Sequence, residues 1–175
     1  REELKKRLIA EGNSLYRLRD EYVKEESRKF PGEGTHFVVS GEISSIYKKN
    51  GKTRKVHNVI LLPSLEAADA MAQHLEKIGN IHSDGRPILG LDSHDLLEMM
   101  LDVCPEGILI PAHIWTPHFS VLGAKSGFDS VEECFEELTP YVHALETGLS
   151  SDPAMNWRIS KLDRYQLISY SDAHS

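Results

Sequence analysis

The stretch Gly41-Glu42-Ile43-Ser44-Ser45-Ile46-Tyr47-Lys48-Lys49-Asn50-Gly51-Lys52-Thr53-Arg54-Lys55-Val56-His57-Asn58-Val59-Ile60-Leu61-Leu62 decides how this chain is read. Two runs rich in Val, Ile and Ser flank Asn50-Gly51. That dipeptide is the strongest short-range signal for a two-residue hairpin turn, because both central residues must accept positive φ. Such a turn fixes the register: Lys49 faces Lys52, Ser44 faces His57 and Glu42 faces Val59. Side chains alternate along a strand, so Glu42 and Ser44 share a face. His57 then lies on that face one diagonal step from Glu42, about 7–8 Å away at the Cα level. A carboxylate and an imidazole would point into one space. The alternative is a surface Glu and His on an exposed hairpin.

Outward from the hairpin, strands and helices alternate. Leu4, Leu8, Leu15, Leu18 and Tyr22 recur at roughly helical spacing, with Gly12-Asn13 as a break. Ser64 caps a helix running to Lys77. Pro87 to Leu91 is a short strand, Asp92 or Ser93 caps a helix through Asp102, and Gly107 to Ala112 is a nearly continuous apolar strand. A run buried on both faces suggests a parallel sheet. Ser130 and Glu133 form a capping box, and Tyr141 to Glu146 and Gln166 to Tyr170 supply two further strands. The expectation is an α/β fold with a parallel sheet or barrel and one antiparallel hairpin near its start.

The chain has 175 residues, 20 Lys+Arg against 27 Asp+Glu, a formal charge of -7 and 40% hydrophobic residues. That is one domain's worth of chain, 1–175, able to bury a core, which excludes disorder and a disulfide-stapled miniprotein. No apolar run reaches the roughly 20 residues of a membrane span, and the Lys/Glu-rich start lacks a signal-peptide core, so a cytoplasmic location is expected. Cys104 and Cys134 read as buried thiols. The acidic balance confines any nucleic-acid contact to a local patch. No Gly-rich loop ending in Gly-Lys-Ser/Thr is present, which removes the P-loop nucleotide hydrolases. Nine histidines form a high count that invites a metal reading.

Three strand ends offer metal-type ligands. Glu42 and His57 share the hairpin face, His113 closes Ile110-Pro111-Ala112-His113, and Asp172 and His174 are two apart after the last strand. Carboxylate oxygen and imidazole nitrogen are the donors that Zn, Mn and Fe take from proteins. In parallel α/β folds, ligands gather at the carboxyl ends of strands.

Gly41-Glu42-Ile43-Ser44, His57-Asn58-Val59-Ile60, Pro111-Ala112-His113 and Ser171-Asp172-Ala173-His174, in that order, resemble the later metal-ligand motifs of the polymerase and histidinol phosphatase (PHP) superfamily. Pro111 to Pro117, Glu146 to Pro153 and Met155 to Arg158 resemble its endonuclease Q branch. The resemblance implies a fragment of a distorted seven-stranded β/α barrel, truncated at both ends, with up to three divalent metals (Zn, Mn or Mg, with Fe as a further choice) in the intact domain. Glu42, His57, His113, Asp172 and His174 match the ligands, with Glu42 bridging metals and Asp172 also orienting water. The family's opening His-x-His motif has no counterpart in the chain, so the 175 residues by themselves are expected to be inactive. The implied reaction is metal-dependent phosphodiester hydrolysis, nicking DNA 5′ to a deaminated base or abasic site. The alternatives are a small-molecule phosphoesterase of the histidinol phosphatase type, or an inert module kept for protein interaction.

Further candidates face the DNA. Lys48, Lys49, Lys52, Arg54 and Lys55 cluster at the hairpin tip as a positive knob that could meet a phosphate backbone. Trp115, Phe119 and Trp157 could stack on a base, although core packing is the plainer role. His118 and Arg158 could touch DNA, with a solvated surface or an ion pair as their plain roles. The remaining histidines, including His94, read as surface or capping residues.

Overall fold

The computed structural model describes residues 2–25, 34–82, 85–148, 150–170 and 172. Helix α1 (Glu2–Arg7) leads into β1 (Leu8–Gly12) and β2 (Leu15–Leu18), which pair antiparallel and are joined by β3 (His36–Phe37) in a small sheet. The helical spacing expected to continue to Tyr22 gives way to a hairpin here. Gly12, Asn13 and Ser14 all take positive φ (88°, 50° and 62°), and this left-handed run reverses the chain before Leu15 can join a helix.

The central sheet is built on β4 (Val39–Lys49) and β5 (Lys52–Leu62). Their antiparallel register pairs Lys49 with Lys52, Ser44 with His57 and Glu42 with Val59, as the turn chemistry requires. Asn50 and Gly51 supply the two positive φ values, 53° and 73°. After α2 (Leu65–Leu75) and β6 (Ile88–Leu89) come α3 (Ser93–Val103) and β7 (Ile108–Pro111), and the sheet order is β6-β4-β5-β7. Ser64 Oγ accepts from the Ala67 amide to cap α2, and Asp92 accepts from the His94 amide to cap α3. The chain continues through α4 (Val131–Phe135), β8 (Ala144–Glu146), α5 (Pro153–Asn156) and β9 (Gln166–Ile168), with β8 and β9 parallel.

This architecture corrects the expected barrel. The described residues form a small mixed α/β domain with three small sheets and no closed barrel. Parallel pairing is confined to β4 with β6 and β8 with β9, whereas β7 runs antiparallel to β5. Leu109, Ile110 and Pro111 of the apolar run in β7 are buried and Ile108 is exposed, and the run carried no information about strand direction.

The hairpin's two faces divide the labour. Val39, Ile43, Val56, Ile60 and Leu62 face the helices and join Met71 and Leu75 of α2 and Leu96, Leu97 and Met100 of α3 in one core. Leu96, Leu97 and Met100 are fully enclosed; burial of each such side chain contributes about 1.5–3 kcal/mol. Asn58, also on this face, donates to Ser45 Oγ at 3.2 Å and to Ser93 Oγ at 3.0 Å, tying the sheet to the start of α3. Cys104 and Cys134 are buried free thiols, and burial pushes the Cys134 thiol up to about 12. Among the described residues, no helix is long and apolar enough to cross a membrane.

Candidate metal centre

The other hairpin face carries Glu42, Ser44 and His57, and here the side chains of β4 and β5 meet the turn that follows β7 of the same sheet. Glu42 Oε1 lies 3.2 Å from His57 Nδ1, and His57 Nδ1 lies 3.1 Å from His113 Nε2. One ligand atom from each of Glu42, His57 and His113 falls within 4.8 Å of the others. Both imidazoles are buried, His57 and His113 each 6% exposed. The His57 ring is seated on Phe119, with centroids 4.6 Å apart, and its amide donates to the Phe119 carbonyl at 3.0 Å.

His113 is held in an unusual backbone state. Its φ is +30°, in the region that disfavours side chains, and it sits immediately beyond β7 and Ala112. Two contacts enforce that conformation. Its amide donates to Glu146 Oε2 at 2.7 Å, a carboxylate buried to 2% exposure whose Oε1 accepts from the Tyr170 amide at 3.2 Å. Gly148, at φ +63°, lies against it so closely that a Cβ there would be 2.5 Å from His113 Cβ.

The hydrogen-bond pattern sets the tautomer. Thr116 Oγ1 lies 2.8 Å from the His118 carbonyl and 3.1 Å from the His113 carbonyl, so its single proton is committed to a carbonyl. It therefore accepts from His113 Nδ1, 2.9 Å away, which leaves Nε2 as a lone pair aimed at His57. Arg86 Nη1 donates to Glu42 Oε1 at 3.2 Å and lies 3.2 Å from His57 Nδ1. The tautomer of His57 decides whether its Nδ1 offers a lone pair to Arg86 or a proton to His113 Nε2. Glu42 Oε1 and His57 Nδ1 converge on one guanidinium corner, and His113 Nε2 lies 3.1 Å from His57 Nδ1, a spacing that suits either a proton or a cation between the two nitrogens. The group can hold a metal ion, and its N,N,O donor set is one that Zn, Mn and Fe accept.

The remaining candidates divide. Asp172 stands at the rim, its Oδ1 3.9 Å from Arg86 Nη1, and takes φ +51°. His174 lies outside the described residues. The basic knob is split by strand parity and does not act as one patch. Arg54 is 4% exposed on the helix-facing side, where it stacks over Phe128 and donates to the Gly127 carbonyl and to Glu133. Lys49 turns to the same side and pairs with Asp92 at 3.2 Å and Glu136 at 2.7 Å. These two are corrected from DNA contacts to structural cations. Lys52 is exposed at the tip; Lys48 and Lys55 share the face of His57, with Lys55 Nζ 5.2 Å from the Phe119 ring centroid. Trp115 is half-buried, with its indole N–H given to Asn156 at 2.9 Å, whereas His118, Arg158 and Trp157 are exposed. Sequence reasoning assigned no role to Arg86, Thr116, Gly148 or Glu146. The Glu-Thr-Gly run at 146–148 was visible, and only the fold shows it clamping His113.

A second His/carboxylate group, His94, Asp95 and Glu98, lies on α3. His94 Nδ1 is 3.0 Å from Asp95 and Nε2 is 3.0 Å from Glu137.

The chain is 33% identical over 123 residues to the uncharacterized protein YqxK of Bacillus subtilis, a match covering 69% of this chain and 30% of that protein. It is 33% identical over 78 residues to the uncharacterized protein MJ0043 of Methanocaldococcus jannaschii, covering 44% of this chain and 10% of that one. The chain therefore spans less than a third of the length of either curated relative. No family model and no solved structure matches it.

Proposed function

We propose that this chain carries part of a metal-dependent phosphoester hydrolase of the PHP superfamily, with a DNA strand as substrate and nicking 5′ to a deaminated or abasic position as its reaction. The observation that carries the reading is the convergence of Glu42 Oε1, His57 Nδ1 and His113 Nε2 within 4.8 Å. A divalent cation seated among them, Mn or Zn by donor type, supplies Lewis acidity toward a phosphoester oxygen and toward water. In the intact protein the resemblance extends this to as many as three cations, with Asp172 and His174 as further ligands.

Within this reading, Glu42, His57 and His113 bind the cation, and Thr116 and Glu146 keep His113 aimed. Asp172, at the rim, orients the attacking water and takes its proton. Lys48 and Lys55 approach the phosphate backbone from the same sheet face. Exposed Trp157 is the aromatic left accessible for a displaced base; 66% of it is open. A phosphomonoester substrate is the second reading, favoured by the formal charge of -7, which does not attract a polyanion.

The test is incubation with Mn²⁺ and duplexes containing hypoxanthine, uracil, an abasic site or no lesion, beside p-nitrophenyl phosphate. The comparison protein is Asp172→Asn, and the intact relatives run in parallel. Lesion-dependent nicking lost in the variant supports the endonuclease, and turnover of the monoester alone supports the second reading. Inactivity of the intact proteins on every substrate rejects both.

A further inference from the structure

Arg86 occupies the place where a cation's charge is needed. One guanidinium nitrogen, Nη1, lies 3.2 Å from Glu42 Oε1, 3.2 Å from His57 Nδ1 and 3.9 Å from Asp172 Oδ1. Those are the oxygen and nitrogen atoms a metal ion would coordinate. The side chain is 27% exposed and arises from the short segment between α2 and β6, so it reaches the site from its open edge. A metal taking Glu42 and His57 displaces the guanidinium from these two atoms and sets a repelling charge beside it. Its backbone remains anchored, because the next residue, Pro87, offers its carbonyl to the Ser44 amide at 2.9 Å on the site-facing strand. The head group can therefore swing only locally, around the mouth of the site. An anion carried in by the metal is the partner it would find there. A planar guanidinium grips a phosphoryl group by two parallel N–H···O bonds.

Resting on the metal reading above, we infer that Arg86 is an exchangeable cation that holds the site when metal is absent and grips the substrate's phosphoryl group when metal is bound. Metal and phosphate binding are then linked through one side chain. Arg86 competes with the first ion, and phosphate relieves that competition by drawing the guanidinium away from Glu42. Linkage requires the effect to be reciprocal.

The experiment measures Mn²⁺ affinity of the wild-type chain, Arg86→Gln and Arg86→Lys by calorimetry, without and with inorganic phosphate or dimethyl phosphate. Circular dichroism checks that each variant is folded. Wild type is expected to bind Mn²⁺ several-fold more tightly when either phosphate is present. Arg86→Gln is expected to bind Mn²⁺ about tenfold more tightly than wild type without phosphate, since a charged hydrogen-bonding competitor is gone. It should show no enhancement by phosphate. Arg86→Lys keeps the competing charge and loses the bidentate grip, so its metal affinity stays near wild type and its phosphate enhancement falls. Dimethyl phosphate acting where inorganic phosphate does not assigns the grip to diesters, and the reverse assigns it to monoesters. Unchanged Mn²⁺ affinity in Arg86→Gln, or phosphate enhancement equal to wild type, overturns the inference and leaves the metal site standing. Absence of Mn²⁺ binding in every protein overturns both.

Discussion

Two groups of histidine and carboxylate lie in this small domain, and they are built on opposite principles. Glu42, His57 and His113 come from β4, β5 and the turn after β7, are largely enclosed, and bring acceptors face to face. His94, Asp95 and Glu98 sit within two turns of α3, with the carboxylates exposed. At His94 both ring nitrogens meet carboxylates at 3.0 Å. Burial alone would lower its pKa, but the hydrogen bonds it donates to Asp95 and Glu137 outweigh that and raise it. Donors and acceptors balance there once His94 is protonated. In the first group the proton on His113 is held away by Thr116, so balance rests on the space between His57 Nδ1 and His113 Nε2, which takes either a proton from His57 or a cation. Proximity of ligand-type residues is therefore a weak criterion for a metal site; an excess of inward lone pairs over protons is a sharper one.

That distinction breaks most directly at the ligands. His57→Ala should weaken Mn²⁺ or Zn²⁺ binding by more than about a hundredfold, beyond the range seen for outer-shell changes. His94→Ala should leave it within twofold; equal losses in titration calorimetry would erase the contrast. Gly148→Ala should come next. A Cβ there strikes His113 in a backbone region that already disfavours side chains, so we expect a loss of about 2–4 kcal/mol in urea unfolding together with metal affinity. Thr116→Val keeps the shape and removes the acceptor for Nδ1–H. Metal binding should fall about tenfold with the unfolding midpoint little changed.

The smallest effect belongs to the α3 group. His94 has a raised folded pKa, so its contribution is complete below its ordinary value near 6.5 and disappears as pH rises through the raised value. The Glu137 carboxyl is lowered, by its own backbone amide first and by His94 second, so its contribution is lost only as pH falls through that lowered value. His94→Ala should cost under about 1 kcal/mol at pH 5.5, since solvent screens exposed partners, and progressively less as pH rises through the raised value. A cost independent of pH would show that His94 acts by packing.

The hairpin and its register were legible because Asn-Gly chemistry and the two-residue period are local rules. They placed Glu42 and His57 on one face, and the apolar run ending at His113 supplied the third donor. Strand direction was not legible. Ile108–Pro111 is equally apolar for either partner orientation, and the expectation of a parallel barrel failed there. Arg86 and Glu146 were missed because each acts across a long sequence separation, and Thr116, only three residues from His113, because its role depends on the irregular turn that His113 opens at φ +30°. Arg54 and Lys49 carried a signal that went unused. The register that aligned Glu42 with His57 also puts these two cations on the helix-facing side, where Arg54 meets Phe128 and Lys49 meets Asp92.

The hairpin also sets an order of assembly. Glu42 and His57 are brought together by one chain reversal, an event of microseconds, whereas His113 is 56 residues beyond His57 and arrives only when β7 has crossed to β5. During synthesis or refolding the site therefore exists first as a two-donor claw, and its third donor locks in with the tertiary fold. A metal ion taken up at the first stage would meet two donors and exchange readily; one taken up after the second would meet three, with His113 held by the Glu146 clamp.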